Sequence, residues 1–155
     1  LSGTTTVTAL DVVATFSDLS IDKAATGYRL EATSASLTSV LSDLFSITAG
    51  VATQLIFSVQ PSNVAAGGTI APAVRVTALD ALGNVARGFT DSVTVAITPG
   101  TGTTGAALTG TKTVTAANGV AVFSDLKINL AGSDYTLRAT AAGLPAVAST
   151  AFNIL

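Results

Sequence analysis

Cysteine, histidine, methionine and tryptophan are all absent from this chain. Without cysteine, neither a disulfide framework nor a thiolate metal site is available. Without histidine as well, the most common general bases, activated nucleophiles and transition-metal ligands are excluded. The four aspartates of residues 51–155 mostly fall in expected turns or strand ends, where Asp usually caps the backbone; they are Asp80, Asp91, Asp125 and Asp134. We therefore expect no enzyme, no catalytic, cofactor-binding or metal-binding residues, and no cofactor.

Charged side chains are scarce as well, at 10% of the residues against about 25% in an ordinary globular domain. The net charge of −2 gives no basic surface for nucleic acid, and the apolar runs fall far short of the roughly 20 residues that span a bilayer. The sequence therefore predicts no nucleic-acid partner and no membrane insertion. Alanine, threonine, serine and glycine take the place of charge, and the mean hydropathy is +0.63. This surface is interpreted either as a Thr- and Ser-coated β-surface, as in secreted bacterial modules, or as one covered by neighbouring copies or O-linked glycans.

An internal repeat is the most informative feature that is present. Residues 3–48 align with residues 110–155 without a gap, and about half of the aligned pairs are identical. A repeat identifies the unit of folding, which here is about 107 residues long. The repeat predicts that residues 1–48 are the C-terminal half of one unit and that residues 49–155 form a complete unit. The join at residues 48–53 is so short that successive units are expected to stack with restricted angles.

Strict alternation of apolar and polar residues identifies the strands. It occurs in four segments rich in β-branched residues, namely residues 54–60, 73–79, 92–98 and 134–140. Such alternation indicates half-buried strands. Weaker candidates are residues 85–88, 111–116, 120–124 and 148–154. Strands of this number and spacing predict an all-β fold, an immunoglobulin-like sandwich of two sheets.

One hairpin turn differs between the two copies. Asn118-Gly119 is a strong two-residue hairpin signal because both residues tolerate positive φ. The counterpart in the first copy is Asp11-Val12, which lacks the glycine. That turn is therefore expected to be of another type or strained.

Three motifs occur in a fixed order in the complete unit: VTALDALGN at residues 76–84, NGVAVF at residues 118–123 and AGSDYTLRAT at residues 131–140. Tyr135 in the last motif lies two residues before a core position, as in the tyrosine corner of immunoglobulin-like domains. Together the motifs resemble the bacterial immunoglobulin-like repeats of the invasin and intimin type. The resemblance implies a spacer in a large secreted protein, located at the cell surface or in the extracellular space.

The incomplete first unit raises the question of what covers its inner face. That face would be an apolar patch formed by Val7, Val13, Phe16, Leu19, Tyr28, Leu30, Phe45 and Ile47. A patch of this size is too large to remain in contact with water. We expect the front half of a unit to cover it, supplied either by the same polypeptide or by a second copy of the chain. Because exchange between copies is open-ended, the second route would produce filaments.

The residues suggest two kinds of polar site, a calcium site and a Lys–Asn cross-link, but neither has a specific pattern. Asp80, Asn84 and Asp91 lie close in sequence but lack a calcium-loop spacing, so they are interpreted as a structural turn. The candidates for a Lys–Asn cross-link are Lys112, Lys127, Asn84, Asn129 and Asn153. No buried acid, which such a cross-link needs, is identifiable between them.

The aromatic residues are interpreted as core rather than as a carbohydrate-binding face. In the complete unit they are Phe57, Phe89, Phe123, Phe152 and Tyr135. Phe89 is the one that no sequence pattern assigns to a face.

These features leave two classes of function. The first is a structural module, a spacer or polymer-forming repeat whose partners are other copies of the same repeat. The second is a binding module, an adhesin or carbohydrate-binding domain that uses the loops at residues 83–90 or 99–105, since loops often carry binding residues. Those loops contain few aromatic or charged side chains, so the structural module is the leading hypothesis.

Overall fold

The computed structural model describes all 155 residues, and its regular structure is entirely β-strand. The all-β prediction is confirmed, and no helix is present that could cross a membrane. The chain divides into unit 1, Leu1–Ala49, and unit 2, Gly50–Leu155. Unit 1 contains β1 (Ala25–Tyr28), β2 (Glu31–Ser34), β3 (Leu37–Leu41) and β4 (Phe45–Ile47). Unit 2 contains β5 (Gln54–Val59), β6 (Val74–Leu79), β7 (Ser92–Ile97), β8 (Leu108–Thr109), β9 (Thr113–Thr115), β10 (Val120–Phe123), β11 (Lys127–Ile128), β12 (Gly132–Tyr135), β13 (Leu137–Ala141), β14 (Val147–Ala148) and β15 (Phe152–Ile154).

Unit 2 is built from two main antiparallel sheets. One has the strand order β10-β6-β5 and the other β14-β13-β7-β9, while β12 pairs with β15 and β8 with β11. In the first sheet, Val76 of β6 lies opposite Ala121 of β10 and Phe57 of β5. In the second, Ala139 of β13 lies opposite Val95 of β7. All five side chains are buried in one hydrophobic core, as expected of a two-sheet sandwich.

The predicted alternation is confirmed in the central strands. Val74, Val76 and Ala78 of β6 are buried, as are Val93 and Val95 of β7. Thr77 of β6 departs from the alternation, because it is buried as well and its hydroxyl lies 2.6 Å from that of Ser58. The aromatic residues predicted to be core are buried too, namely Phe57, Phe123, Phe152 and Tyr135. Phe89, which no sequence pattern assigned to a face, is also buried.

Two predicted strands are divided. Residues 134–140 form the end of β12 and most of β13, with a break at Thr136. The break has a local cause, because Asp134 has φ 59° and the pairing of β12 with β15 shifts register between Gly132 and Tyr135. The chain then leaves that pair and enters the four-stranded sheet at Leu137. Residues 148–154 are divided in the same way between β14 and β15.

The predicted strand at residues 85–88 is wrong. The segment contains no strand and makes a single bridge, between Leu79 and Val85. The backbone N–H of Phe89 donates to the Ala86 carbonyl at 2.9 Å. This bond closes a turn that places both residues in the core, and a tertiary contact of this kind leaves no alternation in the sequence.

The two repeated hairpins have the same turn. Asn118 and Gly119 have φ values of 50° and 81°. In the first copy Asp11 and Val12 have φ values of 48° and 63°. A β-branched residue with positive φ is an outlier, so of the two expected alternatives the strained turn is the one present. Val12 therefore occupies a conformation that suits glycine.

Candidate interaction surface

The carboxylate of Asp80 holds the turn that follows β6. Its Oδ1 atom accepts hydrogen bonds from the backbone N–H groups of Leu82 and Asn84, at 2.9 and 2.8 Å. Its Oδ2 atom accepts from the Gly50 backbone N–H at 2.9 Å and from the Asn84 amide at 3.1 Å. The Gly50 bond, with the bonds from Asn84 and Leu82, lowers the pKa of Asp80 to about 2. All these hydrogen bonds come from groups of unit 2 itself, so the carboxylate of Asp80 caps the turn.

The other predicted site residues are not brought together. No group of three or more acidic side chains is placed where it could hold a metal ion. Lys112 and Lys127 are exposed, outside the core in which a Lys–Asn cross-link would form. The Asn129 side chain accepts a hydrogen bond from a backbone N–H at 2.7 Å. The side chains of Asn84 and Asn129 thus hold local structure through hydrogen bonds within unit 2.

Several groups of the two loops considered for ligand binding are used within the domain itself. In residues 83–90, Phe89 is buried. In residues 99–105, the Thr101 hydroxyl donates to a backbone carbonyl at 2.8 Å and the Thr103 hydroxyl to another at 2.6 Å. These groups stabilise the loops themselves.

The repeated residues have the same tyrosine corner in both units. The Tyr28 hydroxyl donates to the Lys23 carbonyl at 2.9 Å, and the Tyr135 hydroxyl donates to the Leu130 carbonyl at 2.8 Å. Each tyrosine ring also lies beside a phenylalanine, with ring centroids 5.9 Å apart in unit 1 and 6.1 Å apart in unit 2. The tyrosine corner predicted at Tyr135 is thus confirmed, and Tyr28 forms the same corner in unit 1.

A threonine–aspartate pair is repeated as well. The Asp18 carboxylate accepts from the backbone N–H and the hydroxyl of Thr4, at 2.9 and 2.8 Å. The Asp125 carboxylate accepts from the same groups of Thr111, both at 2.9 Å. The backbone bond first, and then the hydroxyl bond, lower the pKa of each aspartate. Unit 1 therefore has the local structure of the back half of unit 2.

The two copies differ in what covers their inner face. Phe123 is 1% exposed, whereas the equivalent Phe16 is 41% exposed. Leu108 is 9% exposed, whereas the equivalent Leu1 is 62% exposed. Of the eight residues predicted for this face, Val13 is exposed like Phe16, and the others are half-buried: Val7, Leu19, Tyr28, Leu30, Phe45 and Ile47.

Three exposed apolar residues of this face were missed in the sequence. Leu1, Leu37 and Val40 are 62%, 75% and 64% exposed. The equivalents of the last two in unit 2, Leu144 and Val147, pack against the core. The available signal was their identity in the two copies. We call the whole set the open face of unit 1: the eight predicted residues together with these three.

The backbone of the open face also lacks strand partners. Residues 13–16 are equivalent to β10, yet they form no strand in unit 1. In unit 2, β10 is formed by pairing with β6, and unit 1 has no equivalent of β6. Residues 6–8 are equivalent to β9, which pairs with β7, and they also form no strand. Unpaired segments of this kind are templates for strand addition.

Comparison with known proteins identifies the fold but no family. No family model and no curated protein matches the chain. Among solved structures, it is similar to a glycosyl hydrolase family 2 member from Bacteroides cellulosilyticus, with a TM-score of 0.51 and 12% identity over 74% of this chain and 15% of that chain. It is also similar to the β-glucuronidase of Parabacteroides merdae, with a TM-score of 0.47 and 19% identity over 76% of this chain and 14% of that chain. The chain thus spans about one seventh of the length of these proteins. The first likeness supports the β-sandwich fold alone.

Proposed function

We propose that this chain is a structural, non-catalytic repeat of a secreted surface protein or extracellular filament. Its role is to act as a spacer between other parts of the assembly and to associate with further copies of the same repeat. The observation that carries the proposal is the open face of unit 1, whose equivalent in unit 2 is a closed core. In a repetitive protein, each unit buries its core only when both of its halves are present. A unit with one half therefore exposes an apolar face.

The surface of unit 2 is consistent with an extracellular location. Its exposed strand positions carry hydroxyl groups. The hydroxyl oxygen atoms of Thr94 and Thr113 are 2.9 Å apart, within hydrogen-bond distance. Ser92 and Thr115 form a similar, longer contact at 3.5 Å. Such hydroxyl rows are also the acceptors that O-linked glycans would use. The sequence resemblance to invasin- and intimin-type repeats supports the same location.

The alternative is an adhesin or carbohydrate-binding module acting through the loops at residues 83–90 or 99–105. Polar groups of these loops form hydrogen bonds within the domain, such as the bond from the Thr103 hydroxyl to the Ala131 carbonyl at 2.6 Å. These bonds support the structural module over the alternative. The aromatic side chains that a sugar platform requires are in the core of unit 2.

Light scattering coupled to size-exclusion chromatography tests the proposal. The full chain is compared with residues 49–155, which retain the Gly50 donor and the whole of unit 2. We expect residues 49–155 to be a folded monomer, because their core is closed. We expect the full chain to form oligomers at micromolar concentration, because its open face is apolar. A full chain that stays monomeric at all concentrations would contradict self-association.

A further inference from the structure

The hairpin of β2 and β3 has a shorter counterpart in unit 2, formed by β13 with β14. The strand β3 has five residues, whereas its equivalent β14 has two. The difference has a local cause, because Thr38 of β3 is equivalent to Pro145. Proline has no backbone N–H and holds φ at about −65°, so it disfavours strand pairing at its position. Residues 144–146 accordingly form no strand, whereas the equivalent residues 37–39 belong to β3.

The strand β3 lies at a sheet edge, and its outer side has no partner. In unit 1 it pairs with β2 alone. Its equivalent β14 also lies at the end of a sheet, where it pairs with β13 alone. The free side of β3 therefore follows from its position in the sheet, and the closed sandwich of unit 2 has an edge strand at the same place. We call the side of β3 away from β2, at residues 37–41, the β3 edge.

The two copies protect this edge to different degrees. Proteins keep sheet edges from pairing with other chains by short strands, prolines, charged side chains or bulges. The edge strand of unit 2 is short and follows Pro145. The β3 edge has no proline, and residues 32–42 contain no charged side chain. The protection that remains is a bulge, where the register between β2 and β3 shifts by one residue. The β3 edge is thus the less protected of the two.

The β3 edge is complementary to itself. Leu37 and Val40 lie on the same side of the strand, since the equivalents of both pack against the core in unit 2. Between them are Thr38 and Ser39, which both carry hydroxyl groups. In an antiparallel pair of β3 strands, the twofold axis can pass between these two hydroxyl residues. Leu37 of each copy then lies opposite Val40 of the other. Such a contact is isologous, because the same patch is used on both copies.

This pairing removes apolar surface from water and completes a backbone ladder. Leu37 and Val40 are 75% and 64% exposed, and Leu41 at the end of the strand is 55% exposed. Apolar and β-branched residues that lie opposite each other stabilise an antiparallel pair of strands. A sheet of two strands, such as that of β2 and β3, is only marginally stable by itself. Two such hairpins joined at their β3 edges form one sheet of four strands.

We propose that the β3 edge pairs antiparallel with the β3 edge of a second copy of this chain. The resulting sheet has the strand order β2-β3-β3-β2, with the twofold axis at its centre. The equivalent edge of unit 2 takes no part, because Pro145 interrupts it. The inference rests on the proposed function, since it names the strand through which copies of the module associate.

A pair of charge variants tests the pairing directly. Ser39 is exposed and lies next to the proposed axis, so Ser39→Lys brings two like charges together when two copies pair. Ser39→Glu does the same with the opposite sign. We expect each variant alone to raise the dissociation constant of the dimer about 5-fold, because like charges across a strand pair are destabilising. Light scattering over a concentration series measures this constant. An equimolar mixture of the two variants should associate at least as well as the unchanged chain, because the substituted side chains then have opposite charges.

Two matched variants copy the residues that unit 2 has at the same positions. Thr38→Pro copies Pro145, which the equivalent hairpin of unit 2 contains, and it should weaken dimer formation because it removes a backbone donor from the edge. Ser39→Ala copies Ala146, and it should leave the dissociation constant unchanged because it adds no charge and keeps the backbone N–H. Circular dichroism verifies that each variant retains the strand content of the unchanged chain.

Two results would overturn the inference and leave the proposed function standing. In the first, the 155-residue chain associates and each charge variant alone associates equally well, which would place the contact away from the β3 edge. In the second, both charge variants are weakened but their mixture does not recover, which would show that β3 does not face β3. A 155-residue chain that stays monomeric at every concentration would contradict both this pairing and the self-association in the proposed function.

Discussion

Truncation of the same phenylalanine in the two copies tests the difference between a closed and an open core. Phe123 is 1% exposed, and Phe123→Ala should destabilise unit 2 by about 3–5 kcal/mol because transfer energy is lost and a cavity remains. Phe16 is 41% exposed, so about three fifths of it is covered. Water fills the space that Phe16→Ala leaves, and only part of the transfer energy is lost, about 1 kcal/mol. The same substitution should thus differ severalfold between the two copies.

Urea unfolding followed by tyrosine fluorescence measures the two effects separately. The chain has one tyrosine per unit, Tyr28 and Tyr135, so Tyr28→Phe leaves unit 2 as the reporter and Tyr135→Phe leaves unit 1. With a slope of about 2 kcal/mol per molar urea, Phe123→Ala should lower the midpoint of unit 2 by about 2 M. Phe16→Ala should leave that midpoint unchanged and lower the midpoint of unit 1 by about 0.5 M.

The controls are Ser17→Ala and Ser124→Ala, which neighbour the two phenylalanines and are exposed in both copies. Neither should move a midpoint by more than the experimental scatter. If Phe16→Ala destabilised unit 1 in a monomeric chain as much as Phe123→Ala destabilises unit 2, the core of unit 1 would be closed. The account of an open face would then be wrong.

Three further substitutions test local features of the fold. Val12→Gly should stabilise unit 1 by about 1 kcal/mol, because it removes the strain of positive φ at a β-branched residue, and a lowered melting temperature would contradict this. Asp80→Ala should destabilise unit 2 and loosen the backbone at Gly50, as seen in amide exchange. Since the pKa of Asp80 is lowered to about 2 from 3.8, the carboxylate contributes fully to the stability of unit 2 above pH 3.8, and this contribution is lost as the pH falls through about 2. In acid titrations the stabilities of the variant and the natural chain should therefore converge at the lowest pH. Gly102→Ala should destabilise unit 2 severely, because a Cβ atom there would lie 2.1 Å from the Tyr135 ring and the backbone at Gly102 has a positive φ of 67°. A variant with unchanged stability would show that this loop does not pack on the ring.

Alternation along the chain was sufficient to predict the central strands. Val74, Val76 and Ala78 are two residues apart and are all buried, because successive side chains of a strand point to opposite faces. The repeat was sufficient to predict the apolar face of unit 1, since Phe16 and Phe123 are the same residue in the same local structure. Both signals are present in the sequence itself.

The features that sequence reasoning missed depend on contacts between distant segments. Phe89 is buried by a turn on the core, and its neighbours show no period that would indicate this. The break at Thr136 arises because β12 and β13 belong to different sheets, and the alternation of Tyr135, Leu137 and Ala139 continues unchanged across it. Sequence period reports which face a residue occupies and not which strand is its neighbour.

The candidate sites also depend on contacts between residues that are distant in sequence. Asp80, Asn84 and Asp91 were close in sequence, but the first two form a turn and the third does not join them. The donor from Gly50 to Asp80, 30 residues away, could not be read from any local pattern.

Amide hydrogen exchange on the 155-residue chain distinguishes an open first unit from a closed one. Residues 13–16 and the equivalent Val120–Phe123 are compared in one sample, at a concentration where light scattering shows a monomer. We expect strong protection of Ala121–Phe123, which pair with β6, and exchange at least about 1,000-fold faster in residues 14–16, which form no strand. The amides of Val13 and Val120 should exchange alike, because each donates to a carbonyl within its own turn. Equal protection of the two segments in the monomer would contradict this account, because the first unit would then close without a front half.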